Sequence, residues 1–145
     1  MNLTETVPLR GAFSLTVIKR GIVIEQIDEP NLIVNGARAQ LARLTGGAGA
    51  NRQVTHIGFG VGTAAANPNN TGLSNAVWKP VTGVTYPEPG HAAFDWSLST
   101  SEANGMAITE FGLRCADGTL FSRKVRSAIH KSDDLSLAGV WTIIF

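Results

Sequence analysis

The side chains able to do chemistry in this chain are few and scattered. Three histidines stand at His56, His91 and His130. No H-x-x-x-H or H-E-x-x-H spacing joins them, so a zinc site has no local support and each reads as a strand or loop residue. Neither a metal nor another cofactor is expected. Gly58-Phe59-Gly60-Val61-Gly62 has the look of a phosphate-cradling turn. The third glycine of a dinucleotide fingerprint would fall on Thr63, and no helix or Lys-Ser/Thr pair follows, so packing is the better reading. Asp133 and Asp134 are adjacent; on a strand they point to opposite faces, and a solvated turn suits them better than acid/base work. A distant glycosidase-type pair, such as Asp95 with Glu110, has no sequence support. No G-x-S-x-G elbow is present. Cys115 is the lone cysteine and reads as a small apolar residue inside a strand. A non-enzymatic protein is expected.

Six residues are candidates for contact with a partner. Arg123-Lys124-Val125-Arg126 is the densest basic run. It could meet phosphates of DNA or lipopolysaccharide. Arg123 and Val125 share one strand face, however, and Lys124 and Arg126 the other. An edge strand protected by charge, or a subunit salt bridge, is therefore the better reading. Trp78, Tyr86 and Trp96 could stack on sugars, with core packing as the competing role.

Composition sets the wider frame. At 145 residues the chain fits one domain, 1–145, large enough to bury a core without staples. Charged residues make up 16%, below the roughly 25% usual for soluble domains, which points to surface covered by partner subunits or to a polar, loop-rich surface. Twelve Lys and Arg against eleven Asp and Glu give +1. Such a balance supplies no electrostatic footprint for nucleic acid and no long-range pull towards an anionic membrane. No apolar run approaches the ~18 residues of a spanning helix. Met1-Asn2-Leu3-Thr4-Glu5 lacks the basic and apolar regions of a signal peptide, so folding in a cytoplasm is expected.

Sixteen glycines and six prolines cut the chain into short pieces, the texture of a mainly β protein. We expect β-sandwich-like antiparallel sheets with one short α-helix packed against the sheet. Residues 9–18 and 22–27 form a hairpin turning at Lys19-Arg20-Gly21, with Ile22 and Ile24 on one face and Val23 and Ile27 on the other. Pro30 should end it. That hairpin, within residues 1–30, could act as an assembly arm beside a core of residues 31–145. Asn35 is the expected N-cap of a helix with Ala37, Leu41 and Leu44 inward, stopped by Gly46-Gly47. Residues 48–53 read as a tether. Residues 54–62 read as a strand whose glycine face leaves room for something to approach closely. The polar loop from Thr63 to Ser74 is long enough to be functional or ordered by a partner. Residues 91–98 alternate, with Phe94, Trp96 and Leu98 on one face. Asp117-Gly118 predicts a type I′ hairpin, with Cys115 opposite Leu120 and Arg114 opposite Phe121. Val140 to Phe145 is apolar on both faces and predicts a central strand buried on both sides.

Thr55-His56-Ile57-Gly58-Phe59-Gly60-Val61-Gly62-Thr63 resembles the T-H-I-A-x-G-x-G-T stretch of tailed-phage tail-fibre and baseplate proteins. In those proteins a helix with a pattern like 35–44 precedes it. Ala103-Asn104-Gly105, Thr109 to Leu113 and Ala116 to Arg123 resemble the family's E-x-N-G … I-x-E-I-G-L-F-x-A-D-G-T-L-F-A-R block. Lys131 to Leu135 and Trp141-Thr142-Ile143 resemble its closing K-x-x-D-x-x-L-x-x-x-W-x-I. The motifs run in order from about residue 31 to 145; the N-terminal hairpin has no counterpart, and no shaft follows Phe145. The resemblance implies a virion structural protein, a compact adaptor or baseplate component that docks tail-fibre or neighbouring tail components. It also implies a homo-oligomer, a trimer ahead of a dimer, located in the virion tail and assembled in the host cytoplasm. A tip that binds a host surface receptor or carbohydrate, or a head-decoration protein, is the alternative. Neither nucleic acid nor membrane insertion is expected, and the resemblance supplies no catalytic residue.

Overall fold

The computed structural model describes residues 9–145. Short apolar runs of period two become nine strands, and the Gly- and Pro-rich breaks become the turns between them. The elements are β1 (Arg10–Lys19), β2 (Ile22–Ile33), α1 (Asn35–Thr45), β3 (Val54–Gly60), β4 (Val77–Pro80), β5 (Gly83–Thr85), β6 (His91–Leu98), β7 (Ala107–Cys115), β8 (Leu120–His130) and β9 (Leu135–Ile144). The fold is mainly β, its strand pairings are antiparallel, and α1 packs on β8.

The strands form one row, β4-β3-β7-β8-β2-β1-β9-β6-β5, which curls over on itself. β2 is one joint of the curl. It pairs with β1 along most of its length but with β8 only at Leu32–Arg123 and Ile33–Ser122. The run from Val77 to Thr85 is the other joint, since β4 pairs with β3 and β5 with β6. Between them Val81 N–H donates to Thr55 O (3.0 Å) and the next amide, Thr82 N–H, to Asp95 O (2.8 Å). Two residues thus tie the ends of the row together, giving a curled, sandwich-like sheet.

An aromatic layer fills the space between the two halves. Phe13 of β1 stacks on Trp96 of β6 at 5.8 Å and meets Phe111 of β7 and Trp141 of β9 at 4.9 Å each. Phe59 of β3 packs edge-on against Trp96 and Phe111. Burying each such side chain contributes on the order of 2 kcal/mol. β1 sends Phe13, Leu15 and Val17 into the same core as the strands beyond residue 30.

Several local expectations are corrected. The Asp117-Gly118 turn is not type I′: Gly118 alone has positive φ (93°), and its N–H donates to Cys115 O, so Ala116 and Asp117 form the turn's centre. A left-handed glycine after such a turn makes a bulged three-residue loop. Arg114 therefore faces Leu120 instead of Phe121, and Cys115 N–H reaches Thr119 O; the expected register resumes at Leu113–Ser122. The type I′ pattern of two positive φ values occurs instead at Arg20 (49°) and Gly21 (80°).

Pro30 does not end β2. Its carbonyl accepts from Lys124 Nζ (3.2 Å), so its nitrogen edge faces β8, where no ladder has to be satisfied. Near the tip the register slips, with Val17 opposite Glu25 but Ile18 opposite Val23. This bulge breaks the alternation and leaves Ile22, Val23 and Ile24 all exposed. β9 is interior to the row, yet only one face is buried (Leu135, Leu137, Trp141, Ile143); Val140, Thr142 and Ile144 are half-exposed. The cap of α1 is Val34, without a side-chain bond, because the Asn35 N–H and side chain are taken by Pro68 O and Asn69 Oδ1. Leu44 is exposed, and the helix docks through buried Gln40, which donates to Asp117 Oδ1 and accepts from Arg52 Nη1. Arg52 also bonds Ala48 O, so residues 48–53 are a bonded turn and no free tether.

Candidate functional site

Arg123 is the most heavily engaged of the six candidate contact residues. Gly112 pairs with Arg123 and Glu110 with Val125, so Glu110 and Arg123 are diagonal neighbours on the face of β7–β8 opposite Phe111. Arg123 Nε donates to Glu110 Oε1 at 2.9 Å, with both side chains buried. The guanidinium also donates to Asn70 Oδ1 (2.9 Å) and Ala64 O (3.0 Å). Glu110 Oε2 accepts from Gly62 N–H (2.6 Å) and Ser74 N–H (2.8 Å). The long 63–74 loop is thus ordered by the chain's own ion pair. Buried charges of opposite sign persist only when paired and fully hydrogen-bonded, and this pair is both.

The glycine face of β3 is filled from within. A Cβ at Gly60 would lie 2.6 Å from the Glu110 carboxylate, and one at Gly58 would lie 2.5 Å from the Trp78 ring. The groups that approach the backbone closely are therefore Glu110 and Trp78. Arg114 covers the same indole, its guanidinium carbon 4.3 Å from the ring centroid. Trp96 is part of the aromatic core. Tyr86, after β5, is 75% exposed.

Lys124 and Arg126 point to the core side of β8, in register with Phe111 and beyond. Glu29 and Glu25 do the same on β2, opposite Phe13 and Val17. Where β2 and β8 have parted, the pairs Lys124–Glu29 (2.5 Å) and Arg126–Glu25 (2.9 Å) close the seam over the core. The Lys124 and Arg126 side chains are largely buried under this seam, their aliphatic stems over apolar surface, while Glu29 and Glu25 stay open to solvent. The Lys124 ammonium holds the Glu29 carboxyl below its usual range. β8 is thus interior, and its cations serve intrachain salt bridges, in place of the edge or subunit contact expected.

The pairing of Glu110 with Arg123 and the burial of Lys131 were not read from the sequence. The pair was legible in principle, because the hairpin register places Glu110 and Arg123 diagonally on one face. Lys131 is buried after β8, where it donates to Asn104 Oδ1 (2.8 Å) and Ser132 O (3.1 Å), and burial lowers its pKa. It heads the closing K-x-x-D stretch, but nothing in the sequence marks it as buried. The histidines fall on separate strands, β3, β6 and β8. Among the described residues no His/Cys/Asp/Glu group could hold a metal ion, and no helix is long and apolar enough to cross a membrane.

Among the described residues, exposed apolar side chains gather in two places in particular. One is the β1–β2 tip, where Ile22 (67%), Val23 (55%) and Ile24 (56%) are exposed in succession. The other lies around Leu44 and Phe145, at the mouth of a recess between α1 and the sheet. Compared with protein-family models, curated protein sequences and solved structures, the chain finds no match.

Proposed function

We propose that this chain is a virion structural protein of a phage tail or baseplate, an assembly subunit that docks neighbouring tail or fibre components. The observation that carries this reading is the projecting aliphatic tip, Ile22-Val23-Ile24. Consecutive exposed aliphatics on a rigid hairpin are a liability in a free monomer and an asset at an interface. The ordered tail-protein motifs add the phage assignment by resemblance. They fall on structural positions: Gly58 and Gly60 under Trp78 and Glu110, Glu110 on Arg123, and Asp117 on Gln40. The polar groups of the chain are used to hold its own loops, which is the economy of a structural part.

Sedimentation of the full chain across a concentration series tests the reading. Self-association, or capture of tail components from infected cells, supports it; a monomer at every concentration, absent from purified particles, overturns it. A second reading, a carbohydrate-contacting tip, rests on Tyr86, the one candidate aromatic left exposed. Glycan binding lost in Tyr86→Ala would move the assignment there.

A further inference from the structure

β2 and β8 share two ladder pairs, Leu32–Arg123 and Ile33–Ser122, and then diverge. From Glu25 to Pro30 the links between them run through side chains. Lys124 Nζ donates to Glu29 Oε2 and to the Pro30 carbonyl, and Arg126 grips Glu25 through both Nη atoms, at 2.9 and 3.3 Å. The core lies directly beneath. Glu29 and Glu25 are ladder partners of Phe13 and Val17 on β1, and Lys124 is the partner of Phe111 on β7. The two sides of each ion pair differ in burial. The Lys124 and Arg126 side chains are 12% and 11% exposed, those of Glu29 and Glu25 45% and 41%. A groove of about 540 Å³ bordered by Pro30, Leu32, Lys124 and Val125 brings solvent up to the seam.

We propose that this seam is an acid-sensitive closure: protonation of Glu25 and Glu29 leaves Lys124 and Arg126 without counter-charges, the two cations swing out to water, and the β2–β8 gap opens over the aromatic layer. The asymmetry of burial drives it. A largely buried cation is tolerated while its partner is charged, and removing that partner alone is the costly change. The carboxylates face solvent, so they take up protons without any prior opening. The cations sit on long, flexible stems that can carry their heads outward. Lys124 holds the Glu29 carboxyl below its ordinary 4.5. A carboxyl depressed in the folded chain contributes stability that is present above about 4.5 and lost as pH falls through its lower folded value, so the closure fails on the acid side. The charged groups that face Glu25 and Glu29 across the seam are Lys124 and Arg126 of β8. β1 sets apolar Val17 and Phe13 opposite them, and Asp28 lies on the other face of β2. His130, at the end of β8, is exposed on the face opposite buried Ile129. The device is independent of the assembly reading.

Binding of an apolar fluorescent dye to the full chain, read beside circular dichroism, tests it. The wild type should bind at least tenfold more dye below about pH 4 than at neutral pH, with its strand signal retained. Glu25→Gln combined with Glu29→Gln should bind the dye already at neutral pH. Lys124→Met combined with Arg126→Met keeps the apolar cover and removes the cations, so it should stay closed in acid although the chain's other carboxylates still gain their protons. Equal dye binding in acid by the wild type and the methionine variant would place the opening elsewhere and overturn the proposal. A wild type that binds no dye in acid, or a folded glutamine variant that stays closed at neutral pH, would overturn it as well.

Discussion

Trp78 lies across Gly58, its partner in the β3–β4 ladder, and the ring fills the space that a Cβ on Gly58 would need. Gly58→Ala should therefore displace the indole and destabilise the fold by about 1–3 kcal/mol. Urea unfolding followed by tryptophan fluorescence checks it. In a Trp78→Ala background the same glycine change should cost much less; equal costs in both backgrounds would show that the ring does not occupy that space.

Glu110→Gln should cost about 3–5 kcal/mol, because it leaves Arg123 charged and buried without its counter-charge. Hydrogen exchange should quicken at the Gly62 and Ser74 amides, which now donate to this carboxylate. Replacing both partners, Glu110→Gln with Arg123→Met, should restore part of the loss. A single variant as stable as the wild type would contradict the clamp.

Glu102 accepts from Lys79 Nζ and from the Ser99 amide, both at 2.8 Å, and these bonds hold its carboxyl down at about 2 against an ordinary 4.5. A depressed carboxylate contributes stability that is present above about pH 4.5 and lost as pH falls through about 2. Melting temperature measured across that window should fall less steeply for Glu102→Gln than for the wild type. Identical slopes would show that this site does not contribute to acid sensitivity.

Gly118 holds φ +93° in the β7–β8 loop. Gly118→Val places a β-branched residue in the left-handed region and should destabilise by about 1–3 kcal/mol, with Gly118→Asn milder. An unchanged melting temperature for the valine variant would refute the turn geometry.

Period-two patterns made the strands legible: 94–98 alternates as expected, although Ala93 is buried too, and Phe111, Leu113 and Cys115 face the core together. Bulges were not legible. They depend on which residue a ladder leaves unpaired, and they explain both the misread Arg114 partner and the unbroken exposure of Ile22, Val23 and Ile24. The glycine face of β3 announced a close approach, but its occupants, Trp78 and Glu110, come from β4 and β7. Lys124 and Arg126 looked like a surface run because sequence does not show that β2 and β8 diverge. Only the tertiary seam makes those cations intramolecular partners.

β1 sits between β2 and β9, with Arg10 opposite Ile144. During translation β1 gains its first neighbour within a few residues, but its second only after Ile144 has been made. Until then Phe13, Leu15 and Val17 have no Trp141 or Leu137 to cover them. Such long-range closure is slow and leaves an open strand edge exposed while it waits. Nascent chains stalled before β9 should therefore need chaperone protection, and the finished chain should owe much of its persistence to the slowness with which β9 comes out again.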